Sequence, residues 1–195
     1  MAGKNTLKNG IILHGTEDTS EDYYGLPDSP SNLGWYPVAQ WELTKRGILT
    51  QTPEMPEPLT REKNYNDWAE VISQYKINAE TLLIGHSDGG GFWLKYLSLN
   101  PQIKIGQLIL VAPSIAVADN PTFFAGFELD KNLPGRCRFG MDLFFSARDA
   151  GIAPSVNKIK KTYGNKTRIH QIDERGHFGW GRNGRNFPEL LEAIK

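Results

Sequence analysis

The stretch Thr81-Leu82-Leu83-Ile84-Gly85-His86-Ser87-Asp88-Gly89-Gly90 decides the fold class. Residues 81–84 have the aliphatic character of a buried strand, and residues 90–99 read as a helix stopped by Asn100-Pro101. Between them stands G-x-S-x-G. A serine at the tip of so tight a turn needs strained backbone geometry. The residues two before and two after it pack so closely that a Cβ would clash. The N–H groups opening the helix then point at charge developing beside the serine. The bare pattern is common because Gly and Ser are common; the flanking strand and helix give it weight. The plain alternative is a glycine-rich turn without chemistry.

Outward from this turn, apolar runs alternate with helical stripes. Residues 10–14, 48–52, 108–111, 142–146 and 168–172 read as further strands. Residues 37–46 read as a helix, with Pro37 tolerated in its first turn and Gly47 past its end. Trp68, Val71, Ile72 and Tyr75 form one helical stripe; Ile152, Val156, Ile159 and Tyr163 form another; Phe187, Leu190, Leu191 and Ile194 form the last. Six strands and five helical segments in this order predict an α/β fold. Its sheet should be mostly parallel and covered by helices on both faces. Without repeat or linker, residues 1–195 are expected to form a single domain. The site should lie at the carboxyl ends of the strands. Residues 16–33 and 112–140 are long irregular stretches, and such loops are often functional.

Composition narrows the function classes. A chain of 195 residues can bury one sizeable core. Hydrophobic residues at 39% and charged residues at 23% exclude a disordered chain. Its 22 basic and 22 acidic side chains cancel, leaving no footprint for nucleic acid or anionic membrane. No apolar run approaches the roughly 18 residues of a membrane helix. Met1-Ala2-Gly3-Lys4-Asn5 opens without the apolar stretch of a secretory signal, so a cytoplasmic location is expected. Cys137 is the single cysteine, which excludes an internal disulfide and reads as a buried or idle thiol. His14, His86, His170 and His177 lack metal-ligand spacing such as H-x-x-x-H, so no metal is expected.

A serine hydroxyl needs a base, and the base needs an orienting acid. In α/β-hydrolases these follow in the order Ser, Asp or Glu, His. Only His170 and His177 follow Ser87. His170 falls inside a strand, whereas His177 falls in the loop between the last strand and last helix, where a base belongs. Asp142 precedes its strand and should sit at the amino edge of the sheet. Asp149 follows that strand and is the expected acid, with a helix cap as its plain alternative; Asp130, Asp173 and Glu174 are the residual candidates. Two backbone donors are needed for the oxyanion. One is the N–H of Asp88, and the other comes from the loop after the first strand, Thr16 or else Glu17.

These landmarks give the chain its resemblance. In size and in ordered motifs it resembles the small α/β-hydrolases related to retinoblastoma-binding protein 9 and the bacterial YdeN-like serine hydrolases. The motifs are Ile12-Leu13-His14-Gly15, Trp35, Met55-Pro56, Leu83-Ile84-Gly85-His86-Ser87-x-Gly89-Gly90, Ser146-x-x-Asp149 and Gly176-His177-Phe178. The resemblance implies strand order 2-1-3-4-5-6, serine hydrolase or carboxylesterase activity without a cofactor, and catalytic roles for Ser87, Asp149 and His177. Two departures stand out. Asp88 occupies a position that is often apolar, and Cys137 lies in Gly135-Arg136-Cys137-Arg138 rather than Leu-x-Cys-x-Glu, so no pocket-protein partner is carried over.

The expected reaction is acyl transfer to water from a small or medium ester, or an amide, with a small molecule as the substrate. A binding protein on a hydrolase scaffold and a small peptidase are the competing readings. Phe123, Phe124 and Phe127 are candidates for an acyl pocket, with packing of a short helix on the core as the alternative. Phe178 and Trp180 are candidates for cleft walls, or else loop anchors. The Asp88 carboxylate is expected either to meet a substrate ammonium group or to cap the helix behind it.

Overall fold

The computed structural model describes residues 6–16, 29–56, 64–115, 126–179 and 184–195. Six parallel strands form one sheet in the order β2-β1-β3-β4-β5-β6. They are β1 (Asn9–Leu13), β2 (Leu49–Gln51), β3 (Thr81–His86), β4 (Gln107–Val111), β5 (Met141–Phe145) and β6 (Thr167–Gln171). This is the order that the resemblance implies, in the α/β-hydrolase fold expected of the chain. The largely apolar strands β3, β4 and β5 are buried along their whole length, as a sheet covered on both faces requires. The edge strands β2 and β6 alternate or expose residues instead.

The helices are α1 (Tyr36–Lys45), α2 (Tyr65–Ser73), α3 (Asp88–Leu99), α4 (Leu133–Arg136), α5 (Ala153–Tyr163) and α6 (Pro188–Ala193). Phe92 of α3 packs against Trp68 and Tyr65 of α2, joining those helices. Trp35, at the start of α1, meets Phe187, which precedes α6, at 5.5 Å. Helix α4 was not legible in the sequence, being one turn long. It lies within the long irregular stretch between β4 and β5, whose residues 116–125 are outside the described set. Among the described residues, no helix is long and apolar enough to cross a membrane.

Below the site, Gln107 pins the end of the chain. Its side chain donates to the Ala193 carbonyl at 2.9 Å and accepts from the Lys195 N–H at 3.1 Å. This ties α6 to β4, so the loop between β6 and α6 is anchored at both ends.

Candidate active site

Strand β3 runs into α3 through Ser87, whose backbone stands at φ 50°, ψ −118°. Such a conformation costs a side-chain-bearing residue of order 1–3 kcal/mol and persists only where neighbours enforce it. They do so here through both backbone groups. The Ser87 N–H donates to the Val111 carbonyl of β4 at 2.9 Å, and the Ser87 carbonyl accepts from the Ser114 N–H at 2.9 Å. The glycines allow the approach. A Cβ on Gly85 would stand 2.5 Å from the Gly89 carbonyl oxygen, and one on Gly89 equally close to that of Leu13.

Beyond the carboxyl ends of the strands, three side chains meet. His177 Nε2 lies 3.0 Å from Ser87 Oγ, and His177 Nδ1 lies 2.5 Å from Asp149 Oδ2. A carboxylate can only accept, so Nδ1 carries the proton of the neutral ring and Nε2 offers a lone pair to the serine hydroxyl. Burial by itself would raise the Asp149 carboxyl. The hydrogen bond from His177, the His177 charge and the N–H groups of Ile152 and Gly151 outweigh that and hold it below the usual carboxylate range. Asp149 therefore remains an anion that orients the imidazole. Geometrically this is a hydroxyl, a base and an orienting acid in series.

Two of the three residual acid candidates, Asp130 and Asp173, are engaged elsewhere. Asp130 pairs with Arg136 at 2.8 Å and caps Asn132. Asp173 accepts from the Ala147 N–H at 2.8 Å, which closes the β5 loop onto the β6 loop. His170, the alternative base, lies in β6 against Asp142 at 2.9 Å. Burial pushes the Cys137 thiol up to about 12, so it stays protonated and is no nucleophile.

The first loop reaches the same place. A Cβ on Gly15 would stand 2.7 Å from Ser87 Cβ, so only glycine lets this loop lie against the serine. Within it, the buried His14 ring donates from Nδ1 to the Gly15 carbonyl at 2.7 Å and accepts the Met55 N–H on Nε2 at 3.0 Å. Two of the sequence landmarks are thereby one contact. The Thr16 hydroxyl donates to the Asp88 carboxylate. Asp88 was expected to meet a substrate amine or to cap α3. Its carboxylate reaches across to Thr16, so the two expected oxyanion residues hold each other. Its place in the first turn of α3 still suits the helix dipole.

Of the two readings of Phe178, cleft wall or loop anchor, its burial fits the anchor. Its side chain is buried, and its ring meets Phe187 at 5.3 Å, so it anchors the loop that carries His177. Phe123, Phe124, Trp180 and Glu17 lie outside the described residues. Sequence reasoning gave no role to Trp35 and His86, which bond to carbonyls of the same loop, or to Tyr36, which bonds His86. The signal for His86 was present: a polar ring ending a largely apolar strand must find partners when buried. Among the described residues, no group of three His, Cys, Asp or Glu side chains could hold a metal ion.

No family model matches the chain, and no curated protein matches it. Solved structures do. The ydeN gene product from B. subtilis superposes with a TM-score of 0.77 at 20% identity, covering 95% of each chain. Est1E from Butyrivibrio proteoclasticus gives 0.57 at 14% identity, over 97% of this chain and 85% of that one. The methylesterase protein MES16 from Arabidopsis gives 0.53 at 12% identity, over 96% of each. At these identities the likeness is one of fold.

Proposed function

We propose that the protein is a serine hydrolase that cleaves small or medium esters through an acyl-enzyme, and that it belongs with the YdeN-like α/β-hydrolases. The observation that carries this reading is the series Asp149–His177–Ser87, with bonds of 2.5 and 3.0 Å. The names of the structural neighbours, an esterase and a methylesterase among them, support the same chemistry.

In this reading His177 Nε2 takes the Ser87 proton as Oγ attacks the ester carbonyl. The tetrahedral oxyanion is held by the N–H groups of Asp88 and Thr16. Its collapse breaks the carbonyl–alkoxy bond, and His177 returns the proton to the departing alcohol. Water then attacks the acyl-enzyme, its proton passing through His177 back to Ser87 Oγ as the acid leaves. Asp149 stays ionised and stabilises the imidazolium in both steps. No cofactor is needed.

A fluorophosphonate probe tests the nucleophile: labelling at Ser87 is expected, and an unlabelled protein would return the chain to the class of binding proteins on a hydrolase scaffold. A panel of soluble esters of rising acyl length tests the substrate class. The highest kcat/KM should fall on short or medium chains, and a preference for long-chain triglyceride emulsions would contradict it. Anilide substrates in the same panel separate an esterase from a peptidase.

A further inference from the structure

His86 stands between β3 and the loop that carries the proposed base, and its bonding is determined without assigning hydrogens. Its Nε2 lies 2.7 Å from the carbonyl oxygen of His177, and its Nδ1 lies 2.7 Å from the Tyr36 hydroxyl. A carbonyl only accepts, so Nε2 carries the proton. Nδ1 is then a lone pair, and Tyr36 donates to it. The next carbonyl along, that of Phe178, accepts from Trp35 Nε1 at 3.1 Å. Two successive carbonyls of the base loop are thus gripped by side chains from outside it.

This matters because Asp149 orients the imidazole of His177 from one side only, through Nδ1. Its side chain is 45% exposed, and its backbone sits between Gly176 at φ 52° and Phe178 at φ 58°. The rest of its positioning must reach the ring through the main chain. His86 is also the residue before Ser87, so one residue is covalently joined to the nucleophile and hydrogen-bonded to the backbone of the base.

We propose that His86 is a positioning residue that sets the distance and angle between Ser87 and His177, with Tyr36 selecting its tautomer and Trp35 supplying the second anchor; the role rests on the serine hydrolase reading. His86 must remain neutral to do this, since its Nδ1 accepts and His177 becomes a cation during turnover at a ring separation of 5.1 Å. The groups facing it are His177, Asp149, His14 and Tyr36. Burial first, then the charges of His177 and His14, push its pKa from 6.5 to about 3, against the raising effects of the His177 carbonyl and Asp149.

The test uses the full chain, p-nitrophenyl acetate as substrate, a fluorophosphonate probe and nitrogen NMR of histidine-labelled wild type. His86→Phe keeps the ring volume but loses both polar contacts. It should lower kcat roughly a hundredfold, the scale of a misplacement of about 1 Å, with KM changed less than about threefold. His86→Gln offers an amide N–H to the His177 carbonyl and an oxygen to Tyr36, and should recover at least about tenfold of that loss. The wild-type spectrum should show His86 protonated on Nε2 alone and not titrating across neutral pH. Folded His86→Phe with undiminished kcat overturns the proposal. So does His86→Gln no better than His86→Phe at equal thermal midpoints, or a wild-type His86 protonated on Nδ1. If His86→Phe does not fold, the glutamine variant and the wild-type spectrum decide. A wild type that neither labels nor turns over overturns the hydrolase reading itself; a labelled wild type with a fully active phenylalanine variant overturns only the positioning role.

Discussion

Two histidine–aspartate pairs straddle β5 and β6, and they differ in everything except composition. Toward the amino end, the wholly buried Asp142 carboxylate meets four donors: Gln107 Nε2 at 2.7 Å, Arg168 Nε at 2.8 Å, Arg168 Nη2 at 2.6 Å and His170 Nε2 at 2.9 Å. His170 itself is stacked on Phe144 at 4.2 Å. Beyond the carboxyl end, Asp149 meets His177, whose other nitrogen faces a serine hydroxyl. A pair closed by an arginine and a stacked ring binds strands together. A pair left open toward a strained serine can move a proton. Residue identity supplies the groups, and the end of the sheet decides what they do.

The largest expected effect breaks the open pair. Ser87→Ala or His177→Ala should lower ester turnover by about 10⁴- to 10⁶-fold with the thermal midpoint nearly unchanged. Asp149→Asn should fall in the lower part of that range. Near-normal rates for Asp149→Asn, alongside a loss for Asp130→Asn, would reassign the acid.

Breaking the closed pair should give the converse result. Asp142→Asn leaves Arg168 and its neighbours facing an amide, and should cost about 3–5 kcal/mol in urea unfolding. Turnover per folded molecule should stay near wild type. A stable but inactive Asp142→Asn protein would erase the contrast.

Acid separates structure from chemistry in a third way. The His86 pKa is lowered in the folded protein, from 6.5 to about 3. The unfolded chain therefore binds the extra proton across that window, and stability rises with pH there. The slope contributed is at most about 1.4 kcal/mol per pH unit, fading above the upper limit and below the lower. Urea midpoints between about pH 3 and pH 6.5 should show this slope, and His86→Gln should flatten it.

The smallest effect concerns the contact that joins the proposed oxyanion residues. Thr16→Val removes the hydroxyl that Asp88 accepts. It should lower kcat about tenfold, less than the loss of a whole oxyanion donor. Asp88→Asn keeps an acceptor and should cost less. The kcat/KM ratio for an α-amino ester over its desamino analogue should be the same in Asp88→Asn and wild type, since the carboxylate is turned to Thr16; a fall in that ratio would restore the ammonium reading.

Which parts of this molecule could be read from the chain follows from how local each signal is. The elbow and the choice of Asp149 over Asp142 rest on neighbours a few residues away, whereas the strand order came through the family resemblance. An acid after a strand and an acid at its start are told apart by chain direction alone. The order of serine, acid and histidine along the chain admits both His170 and His177, and the place of His177 in the loop after the last strand then selects it. Glycines around Ser87 declare themselves because the backbone approach they permit is a property of one turn.

The contacts that hold the site were decided only by the tertiary structure. His86 meets a carbonyl 91 residues away, Trp35 one 143 residues away, and Thr16 a carboxylate 72 residues away. Nothing in the local pattern distinguishes a phenylalanine that walls a cleft from one that packs beneath it, so Phe178 could not be placed. A side chain's direction depends on the backbone angle it inherits and on the space left by elements far along the chain. The sequence by itself determined the chemical groups, their order and the end of the sheet that receives them; only the folded chain decided their distances, tautomers and partners, because hydrogen bonds form between atoms that packing, and not sequence spacing, brings within 3 Å.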